Sequence, residues 1–229
     1  MDYSIPKGFY LRRSCPSVLL TFDVEDWFQV ANLRPWISPQ SWDSRDLRVV
    51  KSTGRILDLL DGFKDRSSGP VRATFFVLGW IADRVPDLIL EIACRGHEVA
   101  SHGFGHDICS FPEPKSFPYE LIICKNRLEQ ITGHPVFGYR APNFSMDSEK
   151  LEAVRSAGFL YDSSSNAIRK HSEPISLSGK ESGRFGVASR LYEGFYELPI
   201  SNLSFHGFNV PWGGGGYFRL IPSALFLKG

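Results

Sequence analysis

Cysteine is scarce in this chain, and no two cysteines form a CxxC pair. The four cysteines are Cys15, Cys94, Cys109 and Cys124. Such scattered positions favour neither a zinc knuckle nor a disulfide framework. We therefore interpret them as reduced thiols.

The chain also lacks an excess of either charge and any long apolar run. Its 26 basic and 25 acidic side chains give a formal net charge of +1, which offers no electrostatic footprint for nucleic acid or an anionic membrane. No run approaches the roughly 18 apolar residues of a membrane span, and the first residues contain no apolar segment of signal-peptide length. These absences predict a cytoplasmic protein whose partner is neither nucleic acid nor membrane.

Apolar residues are plentiful, and strand-like and helix-like patterns alternate along the chain. With 229 residues, of which 42% are hydrophobic, the sequence predicts one domain over 1–229 with a core over about 18–220. The predicted strands are SVLLTFD, VRATFFVLG, HEVASH, PVFGYR, FLYD and FYELPIS, and the predicted helices span about 53–63, 80–96 with a break at Pro86, 116–132 and 147–157. Residues 163–193 look irregular. This alternation is typical of an α/β fold with a parallel sheet, open or closed into a barrel.

Ionisable side chains follow several of the predicted strands. They are Asp23, Glu25 and Asp26 after SVLLTFD, His102 and His106 after HEVASH, Arg140 after PVFGYR, and Asp162 after FLYD. In parallel α/β folds, catalytic groups collect where the strands end. We therefore expect these side chains to share one edge of the sheet.

The spacing of the two histidines indicates a loop that surrounds a metal. Gly103 and Gly105 lie between His102 and His106, and each costs a helix about 1 kcal/mol relative to alanine. A strand cap and a solvated side chain would be the ordinary alternative for this pair. Two imidazoles and a carboxylate, however, form the ligand set of a catalytic zinc site. A metal would also supply the positive charge that the crowded carboxylates of the first strand end require.

Six motifs then resemble one protein family in order and spacing. They are TFDVED, ATFFVLGW, RGHEVASHGFGH, GYRAPNFS, GFLYDSS and ELPIS. Over about residues 20–220 the sequence resembles the polysaccharide deacetylases, or NodB-homology domains. The branch associated with bacterial exopolysaccharide and exosortase gene clusters is the most similar, because its members carry FDVED and a late GGGYFRL. The resemblance implies a distorted or incomplete parallel (β/α) barrel. It also implies a metal-dependent hydrolase that removes N-acetyl groups from N-acetylhexosamine units of a bacterial polysaccharide, with zinc as the expected divalent metal.

The resemblance also implies a role for each polar residue at the strand ends. Asp23 matches the general base, and Arg140 matches the arginine that orients this base. His102 and His106 match two metal ligands. Asn143 stands where a backbone N–H helps to form the oxyanion hole, and Asp162 matches the acidic residue of the fourth motif. A plain structural ion pair between Arg140 and Asp162 is the alternative.

The carboxylate ligand is left open by the sequence. Many family members have two adjacent aspartates, but Val24 occupies the second position here. Strand alternation puts Asp23 and Glu25 on the same side, which favours Glu25 as the ligand. Asp26 could reach the metal if the strand has already ended at Asp23.

Aromatic residues provide candidates for sugar binding. Trp27, Phe28, Trp80 and Trp212 could stack on sugar rings, and Tyr161 is a further candidate for the substrate site. Trp80 follows a predicted buried strand, which favours a core position instead.

One family feature has no counterpart at its usual place. The family uses a late histidine, in HPW in this branch, to protonate the departing amine, and the sequence ends after GGGGYFRLIPSALFLKG. His206 precedes the glycine run, while His97 and His134 are expected to be structural. We therefore expect the C-terminal part of the barrel to be missing. The alternatives to the deacetylase are a non-catalytic metal- or sugar-binding remnant, or an amidohydrolase of a different small amide.

Overall fold

The computed structural model describes residues 18–64, 69–106, 116–165, 184–185, 188–200, 202–205 and 208–211. Trp212 and His206 lie outside these residues. The strands are Thr21–Val24 (β1), Thr74–Val77 (β2), Glu98–Ser101 (β3), Gly138–Tyr139 (β4), Tyr161–Asp162 (β5), Arg184–Phe185 (β6), Ala188–Tyr192 (β7), Phe195–Glu197 (β8), Asn202–Phe205 (β9) and Phe208–Pro211 (β10). The α-helices are Val49–Asp61 (α1), Gly79–Arg84 (α2), Pro86–Cys94 (α3), Ser116–Thr132 (α4) and Ser148–Ser156 (α5).

Eight strands form one sheet in the order β1-β2-β3-β4-β5-β8-β7-β6. Each neighbouring pair from β1 to β5 is parallel, and β8 continues the parallel part beside β5. β7 and β6 extend the sheet antiparallel, while β9 and β10 form a separate antiparallel pair. The predicted α/β fold with a mostly parallel sheet is confirmed. The strand order is linear within the described part of the chain, with β1 and β6 at its two ends.

The helices follow the sequence patterns with small shifts. The break at Pro86 separates α2 from α3, because proline lacks an N–H and is tolerated at the first position of a helix. α5 begins after Asp147, whose carboxylate accepts a hydrogen bond from the Lys150 N–H at 2.8 Å. α1 begins at Val49, four residues before the predicted start.

The core lies between the sheet and the helices on it. β2 is central: Phe75, Phe76 and Val77 are each at most 1% exposed, so both faces of this strand are covered. The covering helices contribute one apolar face each, as amphipathic helices do. Their fully buried residues include Leu57 of α1, Ile81 of α2, Ile89 and Ile92 of α3, Leu121 and Leu128 of α4, and Val154 of α5.

Two strands lie where the sequence predicted irregular chain. β6 and β7 fall within 163–193, a stretch rich in Ser, Gly, Arg and Lys. All five residues of β7 are half-buried or exposed, so the strand has no apolar alternation to reveal it. β7 is stabilised by its hydrogen bonds with β8, and the sequence pattern within β7 alone does not indicate this pairing.

Candidate metal centre

The carboxyl ends of three strands meet at one edge of the sheet. Because β1 to β4 are consecutive parallel neighbours, the residues that follow them emerge on the same side. Glu25 follows β1 directly, His102 follows β3, and Arg140 follows β4. The structure thus brings together side chains that are up to 115 positions apart in the sequence.

Glu25, His102 and His106 form a compact cluster at this edge. One ligand atom from each lies within 4.8 Å of the other two. Both imidazoles are buried, at 2% and 3% exposure, and His106 Nε2 lies 2.6 Å from Glu25 Oε2. Within the described residues, this is the group of His, Cys, Asp and Glu side chains whose geometry could hold a metal ion.

A backbone contact fixes the tautomer of His102. Its Nδ1 lies 2.9 Å from the carbonyl oxygen of Arg140 and donates its proton there, which leaves Nε2 with a free lone pair. Burial lowers the pKa of His102 below its usual value, so the neutral imidazole is favoured. A neutral imidazole with one nitrogen held and the other free is the form that ligates metals.

The cluster fits a divalent cation. His106 Nδ1 is buried and has no hydrogen-bond partner within the described residues. Glu25 Oε2 is likewise buried without a hydrogen-bond partner in the described part of the chain. These converging groups leave buried polar atoms uncompensated, and a cation would compensate them. Mixed nitrogen and oxygen donors of this kind suit a divalent cation.

The histidine loop is held in place by its backbone. Gly79 and Trp80, at the start of α2, donate N–H bonds to the carbonyls of Gly103 and Phe104, both at 2.9 Å. A Cβ at Gly79 would lie 2.4 Å from the Phe104 ring, so only glycine permits this approach.

His106 itself adopts a strained backbone conformation. Its φ of 55° lies in the left-handed region, which costs a non-glycine residue about 1 to 3 kcal/mol. The Arg34 guanidinium donates to the His106 carbonyl at 2.5 Å and helps to hold the loop in this conformation. The loop between the first strand and α1 therefore supports the histidine site.

Asp26 is not part of this cluster, and both of its carboxylate oxygens accept backbone N–H groups, which does not support its prediction as a possible metal ligand. Its Oδ1 accepts the Trp27 N–H at 2.8 Å, and its Oδ2 accepts the N–H groups of Arg48 at 2.7 Å and Val49 at 3.0 Å. The last two groups open α1, whose first N–H groups have no partner within the helix. Asp26 therefore caps α1, and Glu25 is the carboxylate that lies beside the histidines.

Asp23 and Arg140 form a second unit next to the cluster. Arg140 Nη1 donates to Asp23 Oδ1 at 2.8 Å, and the guanidinium is buried at 3% exposure whereas the Asp23 side chain is 27% exposed. Thr21 Oγ1, Ser163 Oγ and Ser163 O accept three of the other guanidinium hydrogens. The Phe76 ring lies 4.0 Å below its central carbon. Arg140 is thus held in one orientation and pairs with Asp23 rather than Asp162.

Asn143 lies in a short turn after β4. Its φ of 54° is left-handed, a conformation that asparagine tolerates better than most residues. Neighbouring N–H groups in this turn, those of Phe144 and Ser145, donate to Ala141 and Pro142. No such bond forms from the Asn143 N–H within the described residues, so it remains available as a donor.

Asp162 lies beside a carboxyl group that sequence reasoning missed. Glu197 ends β8 directly opposite Asp162 at the end of β5, and both are buried, at 5% and 0% exposure. Glu197 is the third residue of the predicted strand FYELPIS, whereas β8 in the structure ends at Glu197. The strand-end rule did not point to Glu197, because the sequence pattern placed the end of this strand at Ser201.

The aromatic candidates divide between surface and core. Trp27 is half-buried, with the Arg48 guanidinium 5.0 Å from its ring centre. Phe28 is fully buried among aromatic rings, including Trp80, which is half-buried as part of the same cluster.

Tyr161 does not lie at the substrate edge, contrary to its prediction. Its hydroxyl donates to Glu98 at 2.9 Å, and Glu98 is the first residue of β3. The ring covers Gly138, where a Cβ would lie 2.1 Å away. Because these contacts lie toward the amino ends of the strands, Tyr161 supports the sheet at the end opposite the cluster.

His97 and His134 have structural or exposed positions, as predicted. His97 Nδ1 accepts the Ala73 N–H at 3.3 Å, just before β2. His134 is exposed in the turn after α4. Neither shares the edge with His102 and His106.

The family model of the polysaccharide deacetylases matches residues 11–161 of this chain. The chain belongs to the polysaccharide deacetylase family. The remaining residues, 163–229, match a domain of unknown function, DUF3473. The predicted family is thereby confirmed.

Two curated relatives match about half of the chain. A peptidoglycan deacetylase-like protein, FGM2, of Gibberella zeae is 32% identical over 111 residues, 48% of this chain and 32% of its own length. A peptidoglycan-N-acetylglucosamine deacetylase of Bacillus cereus is 25% identical over 107 residues, 47% of each chain. The chain thus spans between about a third and a half of these relatives.

A solved structure extends the similarity beyond that part. A Mycobacterium smegmatis protein assigned to the polysaccharide deacetylases aligns with a TM-score of 0.56 and 26% identity, over 80% of this chain and 58% of that chain. Among the described residues, no helix has the length and apolar character needed to cross a membrane.

Proposed function

We propose that this chain removes N-acetyl groups from N-acetylhexosamine units of a bacterial polysaccharide by metal-dependent hydrolysis. The observation that carries the proposal is the cluster of Glu25, His102 and His106 beside the Asp23–Arg140 pair. It combines a ligand set for a divalent metal with a fixed carboxylate that is still accessible to water. Family membership supports the class of reaction, and these residues provide the metal ligands and the base that the reaction requires.

Glu25, His102 and His106 would hold the metal, for which zinc fits the mixed oxygen and nitrogen donors. When bound there, the metal supplies Lewis-acid chemistry, which polarises the acetamide carbonyl and makes water more acidic. The hydrogen bond from His102 to the Arg140 carbonyl orients the imidazole for this purpose.

Asp23 is the proposed general base. Its carboxylate is 27% exposed, and Arg140 holds one of its oxygens at 2.8 Å. That contact orients the carboxylate next to a fixed positive charge. Asp23 can therefore take the proton from water as the water oxygen bonds to the acetyl carbon. A positioned base of this kind contributes about 10² to 10⁴-fold to a rate.

The backbone N–H of Asn143 is the proposed donor to the oxyanion. As the carbonyl carbon becomes tetrahedral, its oxygen gains negative charge, and a donor fixed in advance stabilises that charge by about 3 to 4 kcal/mol. The left-handed conformation of Asn143 keeps its N–H out of the hydrogen bonds of the turn. Such strain is typical of functional sites.

Trp27 is the proposed sugar contact among the described residues. It directly follows Glu25 and Asp26 and is half-buried, so one part of the ring remains accessible to a sugar. Trp212 is proposed for the same role. The similarity of the FDVED motif to the exopolysaccharide-associated branch supports an extracellular polymer of N-acetylhexosamines as the substrate class.

Acetate release from N-acetylglucosamine oligomers tests the proposal. The purified chain is loaded with zinc and assayed with and without a chelator, and bound metal is measured in the same sample. His102→Ala should lose both metal and acetate release, whereas the matched control His134→Ala, in an exposed turn, should retain both.

Two other results would each contradict the proposal. One equivalent of bound metal with no acetate release would indicate a non-catalytic metal-binding protein. Hydrolysis of small amides without hydrolysis of the sugar oligomers would indicate an amidohydrolase of a different substrate.

A further inference from the structure

Two buried carboxyl groups lie side by side at the catalytic edge of the sheet. Asp162 and Glu197 are register partners at the ends of β5 and β8, and they are 0% and 5% exposed. Two ionised carboxylates in such a place would repel each other after losing their hydration. A pair of this kind therefore keeps one proton between its members.

The contacts show which member carries the proton. Asp162 Oδ1 accepts from the Ser164 hydroxyl at 2.7 Å, and Oδ2 accepts from the Ser164 N–H at 3.0 Å. Glu197 Oε1 accepts from the Ser165 N–H at 3.0 Å, but Oε2 is buried and has no partner within the described residues. Asp162 is stabilised as the carboxylate, and Glu197 Oε2 is the natural place for the proton.

The electrostatics agree with this assignment. Burial raises the pKa of Asp162 to about 6. Burial, followed by the negative charge on Asp162, raises the pKa of Glu197 well above its usual value. At neutral pH the pair thus holds one proton and one negative charge.

The backbone of residues 163–165 and its hydrogen bonds connect the pair with Arg140, which contacts the proposed base. Ser163 accepts from Arg140 twice, through its carbonyl at 3.1 Å and its hydroxyl at 2.9 Å. The hydroxyl of Ser164 accepts the Ala141 N–H at 2.8 Å. The residues that contact Asp162 and Glu197 therefore belong to the segment that fixes Arg140, and Arg140 in turn contacts Asp23.

We propose that Glu197 is a positioning residue for the deacetylation. As a carboxylic acid, Glu197 donates a hydrogen bond to Asp162, and the two side chains together fix residues 163–165. These residues orient Arg140, and Arg140 orients Asp23. This inference rests on the proposed function. It also gives a role to the segment that matches the domain of unknown function, since Glu197 lies within 163–229.

The groups around the pair explain its dependence on pH. Tyr139, the last residue of β4, and Arg140, which follows it, face the pair. β7 places Ser189 opposite Glu197 and Arg190 next along that strand. Arg140 already pairs with Asp23, so its charge is shared between two carboxylates. Loss of the Glu197 proton at alkaline pH leaves two adjacent negative charges and displaces residues 163–165.

Three variants test the role in turnover. Glu197→Gln keeps a donor toward Asp162 at every pH, so it should retain activity near pH 7 and lose the alkaline decrease in kcat that the pair causes. Glu197→Ala should lower kcat about ten- to a hundredfold, with KM and bound metal unchanged. The matched control Glu193→Gln, in the exposed turn before β8, should behave as the unmodified protein. A Glu197→Ala protein with unchanged kcat, or a Glu197→Gln protein with an unchanged alkaline decrease, would contradict the proposal.

A measurement without turnover separates this proposal from the proposed function. In ¹⁵N-arginine-labelled protein, the buried Arg140 Nε–H resonance, assigned with Arg140→Lys, should shift as Glu197 titrates. The same resonance should stay constant with pH in Glu197→Gln. A shift in the unmodified chain that persists in Glu197→Gln, or no shift in either, overturns the inference whether or not the chain releases acetate. The expected shift in a chain that releases no acetate supports the positioning contact and contradicts only the proposed function.

Discussion

Asp23, Glu25 and Asp26 lie within four positions of the sequence but make three different sets of contacts. Glu25 lies beside two imidazoles, Asp23 contacts a guanidinium, and Asp26 caps a helix. Strand alternation favoured Glu25 over Asp26 but did not decide between them. The helix that Asp26 caps begins 23 positions later, so no local capping pattern reveals that role.

The base can be tested separately from the metal. Asp23→Asn keeps the shape of the side chain but removes its basicity, so kcat should fall about 10² to 10⁴-fold. Bound zinc should remain at one equivalent, because Asp23 is outside the cluster of Glu25, His102 and His106. Asp43→Asn, in an exposed ion pair with Arg84, is the control and should leave kcat unchanged. Loss of metal in Asp23→Asn would instead make Asp23 a ligand.

At the level of elements, the sequence predicted those whose stability is local. The α-helices and the strands β1 to β5 and β8 follow apolar periodicity and the proline and glycine signals at their ends. β6 and β7 depend on pairing with β8 and carry no periodic pattern. Tyr161 was assigned to the wrong end of the sheet for a related reason. The apolar alternation indicates which face of the strand a side chain occupies. It does not indicate toward which end of the strand a long side chain leans.

The cap of α1 gives a prediction for a single helix. Asp26→Ala removes acceptors from two N–H groups of α1 and from Trp27, so it should lower the free energy of unfolding by about 2 kcal/mol. Asp147→Ala, which removes one N–H acceptor from α5, should cost about 1 kcal/mol. Urea unfolding measures both. Unchanged stability with loss of bound metal in Asp26→Ala would show that Asp26 is a ligand after all.

Two glycines provide a matched pair for packing. In Gly138→Ala the new Cβ would meet the Tyr161 ring at 2.1 Å, within β4, so the free energy of unfolding should fall by about 1 to 3 kcal/mol. Gly54→Ala, in the middle of α1 with no atom within 4 Å of its Cβ, should raise it by about 1 kcal/mol. Thermal unfolding of both variants checks the contrast, and equal shifts in Tm would contradict it.

For the whole molecule, the buried acid pair links stability to pH. Burial raises the pKa of Asp162 to about 6, so the folded chain binds this proton more tightly than the unfolded chain does. The contribution of Asp162 is therefore fully present below its unfolded pKa, near 4, and is lost as the pH rises through 6.

Asp162→Asn isolates that contribution. The stability of the unmodified chain relative to this variant should fall by about 2 kcal/mol between pH 4.5 and pH 7, because a shift of one pKa unit corresponds to about 1.4 kcal/mol. Urea unfolding at several pH values measures the difference. A difference that is constant with pH, or that grows as the pH rises, would contradict a raised pKa for Asp162.

The shared sheet also bears on how this chain could have evolved. The two family matches meet between positions 161 and 163, yet Asp162 and Glu197 on either side of that boundary belong to adjacent strands of one sheet. A recombination event at this boundary would separate a buried carboxylate from its proton-bearing neighbour and expose the edge of β5. We therefore expect the segment after the boundary to be inherited together with deacetylases whose fifth strand ends in a compatible acid, and not to be exchanged as an independent module.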